Sequence, residues 1–90
     1  MALTEKRILS LGELAEGAQA RVHQVQGGQT FRGRVATLGF TIGVPLRLLQ
    51  NTGRGPVIVL IRGTRVALGR GEALKVLVVP EEGGDEDPRQ

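Results

Sequence analysis

The run Val57-Ile-Val-Leu-Ile61 constrains this chain more than any other feature. Four of its five residues are β-branched, and Gly55-Pro56 and Arg62-Gly63 bound it with turn chemistry. A segment so short, stiff at χ1 and closed at both ends by turns reads as a strand. Residues 57, 59 and 61 then point to one face, and Ile58 and Leu60 to the other. The same doubling recurs in Lys75–Val79, where Val76 and Val78 oppose Leu77 and Val79. A small sheet needs only one apolar face per strand. Either short helices cover the second face, or Ile58, Leu60, Leu77 and Val79 serve a partner or a second copy of the chain.

Phe31 and Phe40 are the only aromatic residues among 90, so Val, Leu and Ile must build the core. Ninety residues make one domain. With no cysteine there is neither a disulfide framework nor a thiolate metal site. The longest apolar runs fall far short of the roughly 20 residues of a membrane-spanning helix. The segment Met1–Arg7 lacks the apolar stretch of a signal peptide. A cytoplasmic location without direct membrane insertion is expected.

Along the chain, Ser10-Leu-Gly-Glu13 has capping-box spacing and predicts a short helical turn. Ala18–Val25 reads as a strand with Ala20 and Val22 on one face. Phe31, Val35 and Leu38 form one stripe of a helix over Gln29–Leu38, stopped by Gly39 and weakened by Gly33. Val44–Gln50 is the next strand, and the loop Asn51–Pro56 leads into Val57–Ile61. Arg62-Gly63 turns the chain into Thr64–Leu68. Gly69–Leu74 is a turn or short helix, and Lys75–Val79 is the last strand, ended by Pro80. The reading is mainly β: a small closed barrel of about five strands with one or two short helices. It comprises a lead-in over 1–9, a domain over 10–80 and a disordered acidic tail over 81–90.

The formal charge of +3 conceals an asymmetry. Residues 81–90 carry −4 and residues 1–80 carry +7. A basic body suits an anionic partner. Catalysis lacks its parts: His23 is the only histidine and is expected on a strand surface, there is no cysteine, and Ser10 is expected to cap a turn. No cofactor or tight metal site is expected from one histidine, and Glu13 and Glu16 are read as solvated. The acidic tail could hold a divalent cation only loosely. Gly69-Arg-Gly71 and Gly53-Arg-Gly55-Pro56 lack the residues of a phosphate cradle. Nucleic acid is disfavoured because single-strand binders stack bases on aromatic side chains, which this chain scarcely has.

Four stretches, in order, resemble the ferrous iron transport protein A family (FeoA). They are Ser10-Leu-Gly-Glu-Leu-Ala-Glu-Gly17, Arg34-Val-Ala-Thr-Leu-Gly-Phe-Thr-Ile-Gly43, Gly55-Pro-Val-Ile-Val59 and Arg65-Val-Ala-Leu-Gly-Arg-Gly-Glu-Ala73. Ile42 stands where the family often has proline, and the acidic tail is an addition to the pattern. The resemblance implies an SH3-like barrel. It also implies an accessory or regulatory role in ferrous iron uptake, beside a membrane permease that carries a cytoplasmic G domain. Under that reading the chain is not an enzyme and meets the membrane only through its partner. Arg54 and Arg70 are then candidates for an arginine supplied in trans to GTP hydrolysis, and Ile58, Leu60, Leu77 and Val79 for the docking face. Metal-dependent repressors carry a similar SH3-like domain, so a nucleic-acid-binding or regulatory module is the alternative. The chain leaves no room for a helix-turn-helix ahead of Ser10.

Overall fold

The computed structural model describes residues 7–81. It contains six strands: β1 (Leu9–Ser10), β2 (Gln19–Val25), β3 (Pro45–Gln50), β4 (Val57–Ile61), β5 (Thr64–Leu68) and β6 (Val76–Pro80). Two helices, α1 (Gln29–Thr37) and α2 (Arg70–Ala73), and a 3-10 turn at Leu11–Glu13 complete it. The strands form one sheet in the order β1-β6-β2-β3-β4-β5, and every neighbouring pair is antiparallel. The sixth strand is the two-residue β1, too short to carry an alternation that the sequence could reveal. Pro80 does not stop β6 but is its last residue, opposite Ala20. The acidic tail beyond Glu81 and the lead-in before Arg7 lie outside the described residues.

Alternation sorts the sheet into two faces. Ala20, Val22, Leu46, Leu48, Val57, Val59, Ile61, Val66, Leu68, Val76 and Val78 are all buried in one core. Each fully buried Val, Leu or Ile contributes about 1.5–3 kcal/mol. Register shifts between Val22 and Gln24 and between Leu48 and Gln50 bend β2 and β3, which lets a six-strand sheet wrap around so narrow a core. No ladder joins β5 to β1 among the described residues. Instead α2 packs against both β5 and the 3-10 turn and bridges that seam.

The helix α1 forms despite Gly33. Val35 is buried, Phe31 packs against the core, and Leu38 lies at the exposed C-cap. Gly39 follows with φ +110°, where a Cβ would lie 2.6 Å from the Arg62 Cδ. Both Arg62 (φ +53°) and Gly63 (φ +77°) take positive φ, the signature of a two-residue type I′ hairpin turn matched to strand twist. The buried residues of the helices, Val35 and Ala73, join the core of the inner sheet face. Covering the outer face is therefore not what the buried side of either helix does.

Candidate partner-binding surface

Loop Asn51–Pro56 and α2 meet the 3-10 turn at one end of the barrel, and Asn51 holds them together. Its backbone N–H donates to Glu16 Oε2 at 2.8 Å. Its side-chain amide donates to the carbonyls of Gly12 (3.1 Å) and Leu14 (2.9 Å). Its Oδ1 accepts from an Arg70 Nη at 2.9 Å, and the other Arg70 Nη donates to the Gly55 carbonyl at 3.2 Å. Arg70 is thus a half-buried clamp between α2 and the loop. Arg54 differs: it sits exposed at the loop tip, and among the described residues its guanidinium has no acceptor. The structure brings the two arginines to one end of the barrel but gives them unlike tasks.

Two carboxylates are structural: Glu13, placed by its spacing in a capping box, and Glu16, read only as solvated. Glu13 accepts the Ser10 N–H at 2.9 Å, and Glu16 holds Asn51 as described. Ser10 Oγ itself is buried without a partner, so Glu13 makes its side of the capping box while the serine hydroxyl does not. Asn51 was not singled out from the sequence, since a loop asparagine before Thr-Gly reads as turn chemistry and nothing more. Three residues of the Ser10–Gly17 stretch, Gly12, Leu14 and Glu16, are its partners, so that stretch carried the only available signal.

The four outer-face residues do not form one patch. Ile58 stands opposite Gln50 and Ala67, and Leu60 opposite Arg47 and Arg65. Leu77 and Val79 lie on β6, opposite Gln24 and Arg21. Strands β2 and β3 separate the pairs and carry exposed Gln19, Arg21 and Arg47 between them. Ile58, Leu77 and Val79 are half-buried, and Leu60 is 36% exposed. Among the described residues, the most exposed large apolar one is a residue the sequence marked only as a departure from a pattern. Ile42 is 77% exposed, in a loop fixed by backbone bonds from Phe40 N–H to Val35 O (3.0 Å) and from Gly43 N–H to Val22 O (2.8 Å).

Electrostatically, Arg34 of α1 pairs with Glu72 of α2. That hydrogen bond, helped by the Gly69 N–H, holds the Glu72 carboxyl below its ordinary value of 4.5. Arg34 and Lys75 also lie over the Phe31 ring, 5.6 and 5.4 Å from its centre. His23 is exposed at the β2 bulge. Among the described residues no three His, Cys, Asp or Glu side chains gather as metal ligands, and no helix is long and apolar enough to cross a membrane.

Six antiparallel strands curled around one largely aliphatic core, with α2 bridging the seam, define a small SH3-like domain. The chain belongs to the FeoA domain family, which matches it over residues 9–80. It is 34% identical over 74 residues to a candidate Fe(2+) transport protein A of Methanocaldococcus jannaschii, covering 82% of this chain and 89% of that protein. Among solved structures it resembles Stenotrophomonas maltophilia FeoA complexed with zinc, described as a procaryotic SH3 domain protein. The TM-score is 0.71 at 32% identity, over 78% of this chain and 88% of that one. A manganese-dependent transcriptional repressor superposes with TM-score 0.76 at 21% identity, over 88% of this chain and 45% of the repressor, a likeness of fold alone. The family is one of ferrous iron transport.

Proposed function

We propose that this chain is a cytoplasmic accessory protein of ferrous iron uptake that binds the G domain of the iron permease and performs no reaction itself. Membership of the FeoA family carries this reading. The surface is consistent with docking. Ile42 stands out on a loop anchored at both ends, so little order is lost when a partner covers it. Of the two candidate loop arginines, Arg54 is the one left free to reach a partner's phosphates, because Arg70 is spent on Asn51 and Gly55. Ile58 and Leu60 form one docking strip and Leu77 and Val79 another, rather than one continuous face, and either strip could pair with a second copy. The aromatic residues disfavour the nucleic-acid alternative: Phe40 is buried and Phe31 already carries two cations.

The test is a tagged pull-down from detergent-solubilised membranes of cells grown anoxically with scarce iron, crosslinked before lysis. Recovery of a large permease with a GTP-binding domain, reduced by Ile42→Asp, supports the proposal. Recovery of nucleic acid or of this chain alone overturns it.

A further inference from the structure

Strand β5 closes the strand order on one side, and half of its backbone bonding capacity is unused among the described residues. The two-residue turn at Arg62-Gly63 makes Ile61 and Thr64 a hydrogen-bonded pair, and such pairs then alternate along the ladder with β4. Thr64, Val66 and Leu68 bond to β4, which leaves the N–H and C=O groups of Arg65 and Ala67 turned away from it. Among the described residues none of these four groups has a hydrogen-bond partner. The α2 bridge leaves both residues exposed, and the Ala67 side chain is too small to shield the edge.

The side chains beside this edge are basic. Arg47, Leu60 and Arg65 stand side by side across β3, β4 and β5, and Arg62 follows at the hairpin turn. All four residues are exposed, and among the described residues none of the three guanidiniums has a carboxylate or carbonyl partner. Charge decides which chain fits. In full overlap, a second antiparallel copy of β5 sets Arg65 diagonal to its own image on one face, within reach of long side chains, and like charges there repel. A strand with carboxylates on that face is attracted instead.

We infer that the open edge of β5 takes an extended acidic segment of a partner protein as an added strand. Its backbone bonds to Arg65 and Ala67, and its alternate Asp or Glu side chains lie on the outer face beside Arg65. Its remaining side chains point to the inner face, beside Val66 and Leu68, where apolar residues fit. Main-chain bonds then supply affinity and the outward side chains supply selectivity. Beyond Thr64 the edge meets a cleft of about 470 Å³ between the end of α1 and the hairpin, lined by Thr37, Leu38, Gly39, Arg62 and Thr64. Leu38, 37% exposed, gives that cleft an apolar wall for a partner that continues past the strand. The inference stands apart from the proposed function, because its probe is a synthetic peptide and no permease is present.

The probe is a short peptide alternating aspartate with valine, blocked at both ends and added to the isotope-enriched full chain. Hydrogen exchange at the Arg65 and Ala67 N–H groups is expected to be fast in the free chain and to slow about tenfold or more at saturation. The N–H groups of Thr64, Val66 and Leu68, already bonded to β4, are expected to change little. Arg65→Glu is expected to weaken binding about tenfold and to favour the counterpart peptide with lysine in place of aspartate. An unchanged amide spectrum away from β5 reports that this variant is folded. A third peptide, methylated at every second backbone nitrogen, keeps the charge but loses strand donors, and neither phase of methylation is expected to bind as well. Slow exchange at Arg65 and Ala67 in the free chain overturns the inference, because the edge is then already paired within the chain or with a second copy. So does binding that leaves both amides fast, equal affinity of the wild type for the lysine or methylated peptides, or no binding at about 1 mM acidic peptide.

Discussion

At the scale of single residues, two positions carry more than their types announce. Asn51 ties the 3-10 turn, the loop and α2 through one side chain. Asn51→Ala leaves the Gly12 and Leu14 carbonyls and an Arg70 N–H without these bonds, and is expected to cost about 2 kcal/mol in urea unfolding. Gly39 is constrained twice, by its φ of +110° and by Arg62. Gly39→Ala is expected to cost about 1–3 kcal/mol. Because the Arg62 side chain can swing away, adding Arg62→Ala should recover only a minor share, and full recovery would show that the clash rather than the backbone dominates.

Among the elements, α1 shows what a stripe of apolar residues can and cannot say. Val35 reaches the core and Leu38 does not. Val35→Ala should cost about 2 kcal/mol and Leu38→Ser less than about 0.5 kcal/mol by the same unfolding assay. The strand limits of β4 and β5 were legible because alternation and the Arg62-Gly63 turn agree at every residue. The two-residue β1 was not, since a pair of residues has no period, and Pro80 misled because an antiparallel strand tolerates proline as its last residue. The linkage of α1 to α2 through Arg34 and Glu72 was equally hidden, for it joins residues 38 apart in sequence. Its pH signature follows from the sign of the shift. A carboxyl held below its ordinary value stabilises the fold fully above 4.5, and that contribution fades as pH falls through the lower folded value. The stability gap between the wild type and Glu72→Gln should therefore shrink as urea unfolding is repeated from pH 6 down to pH 3, and a constant gap would contradict it.

For the whole molecule, the candidate surface was less legible than the fold. Alternation showed that Ile58, Leu60, Leu77 and Val79 face outward. Strand order, which depends on long-range pairing, decided that two polar-faced strands divide them. Arg54 and Arg70 looked alike as loop arginines, and only the fold reveals that one is a clamp and the other is exposed. The domain presents its accessible chemistry at separate places: Arg54 at one loop tip, Ile42 on another loop, and the Arg47–Leu60–Arg65 row on the sheet. That layout suits a protein that acts by contact.

The most direct test is to titrate the purified cytoplasmic G domain of the iron permease, loaded with a non-hydrolysable GTP analogue, into the isotope-enriched full chain. Saturable shifts confined to the surface, weakened by Ile42→Asp or Arg54→Ala without loss of fold, are the predicted result. An unchanged spectrum at saturating G domain, with both proteins folded, would contradict the proposal that this chain works by binding the permease.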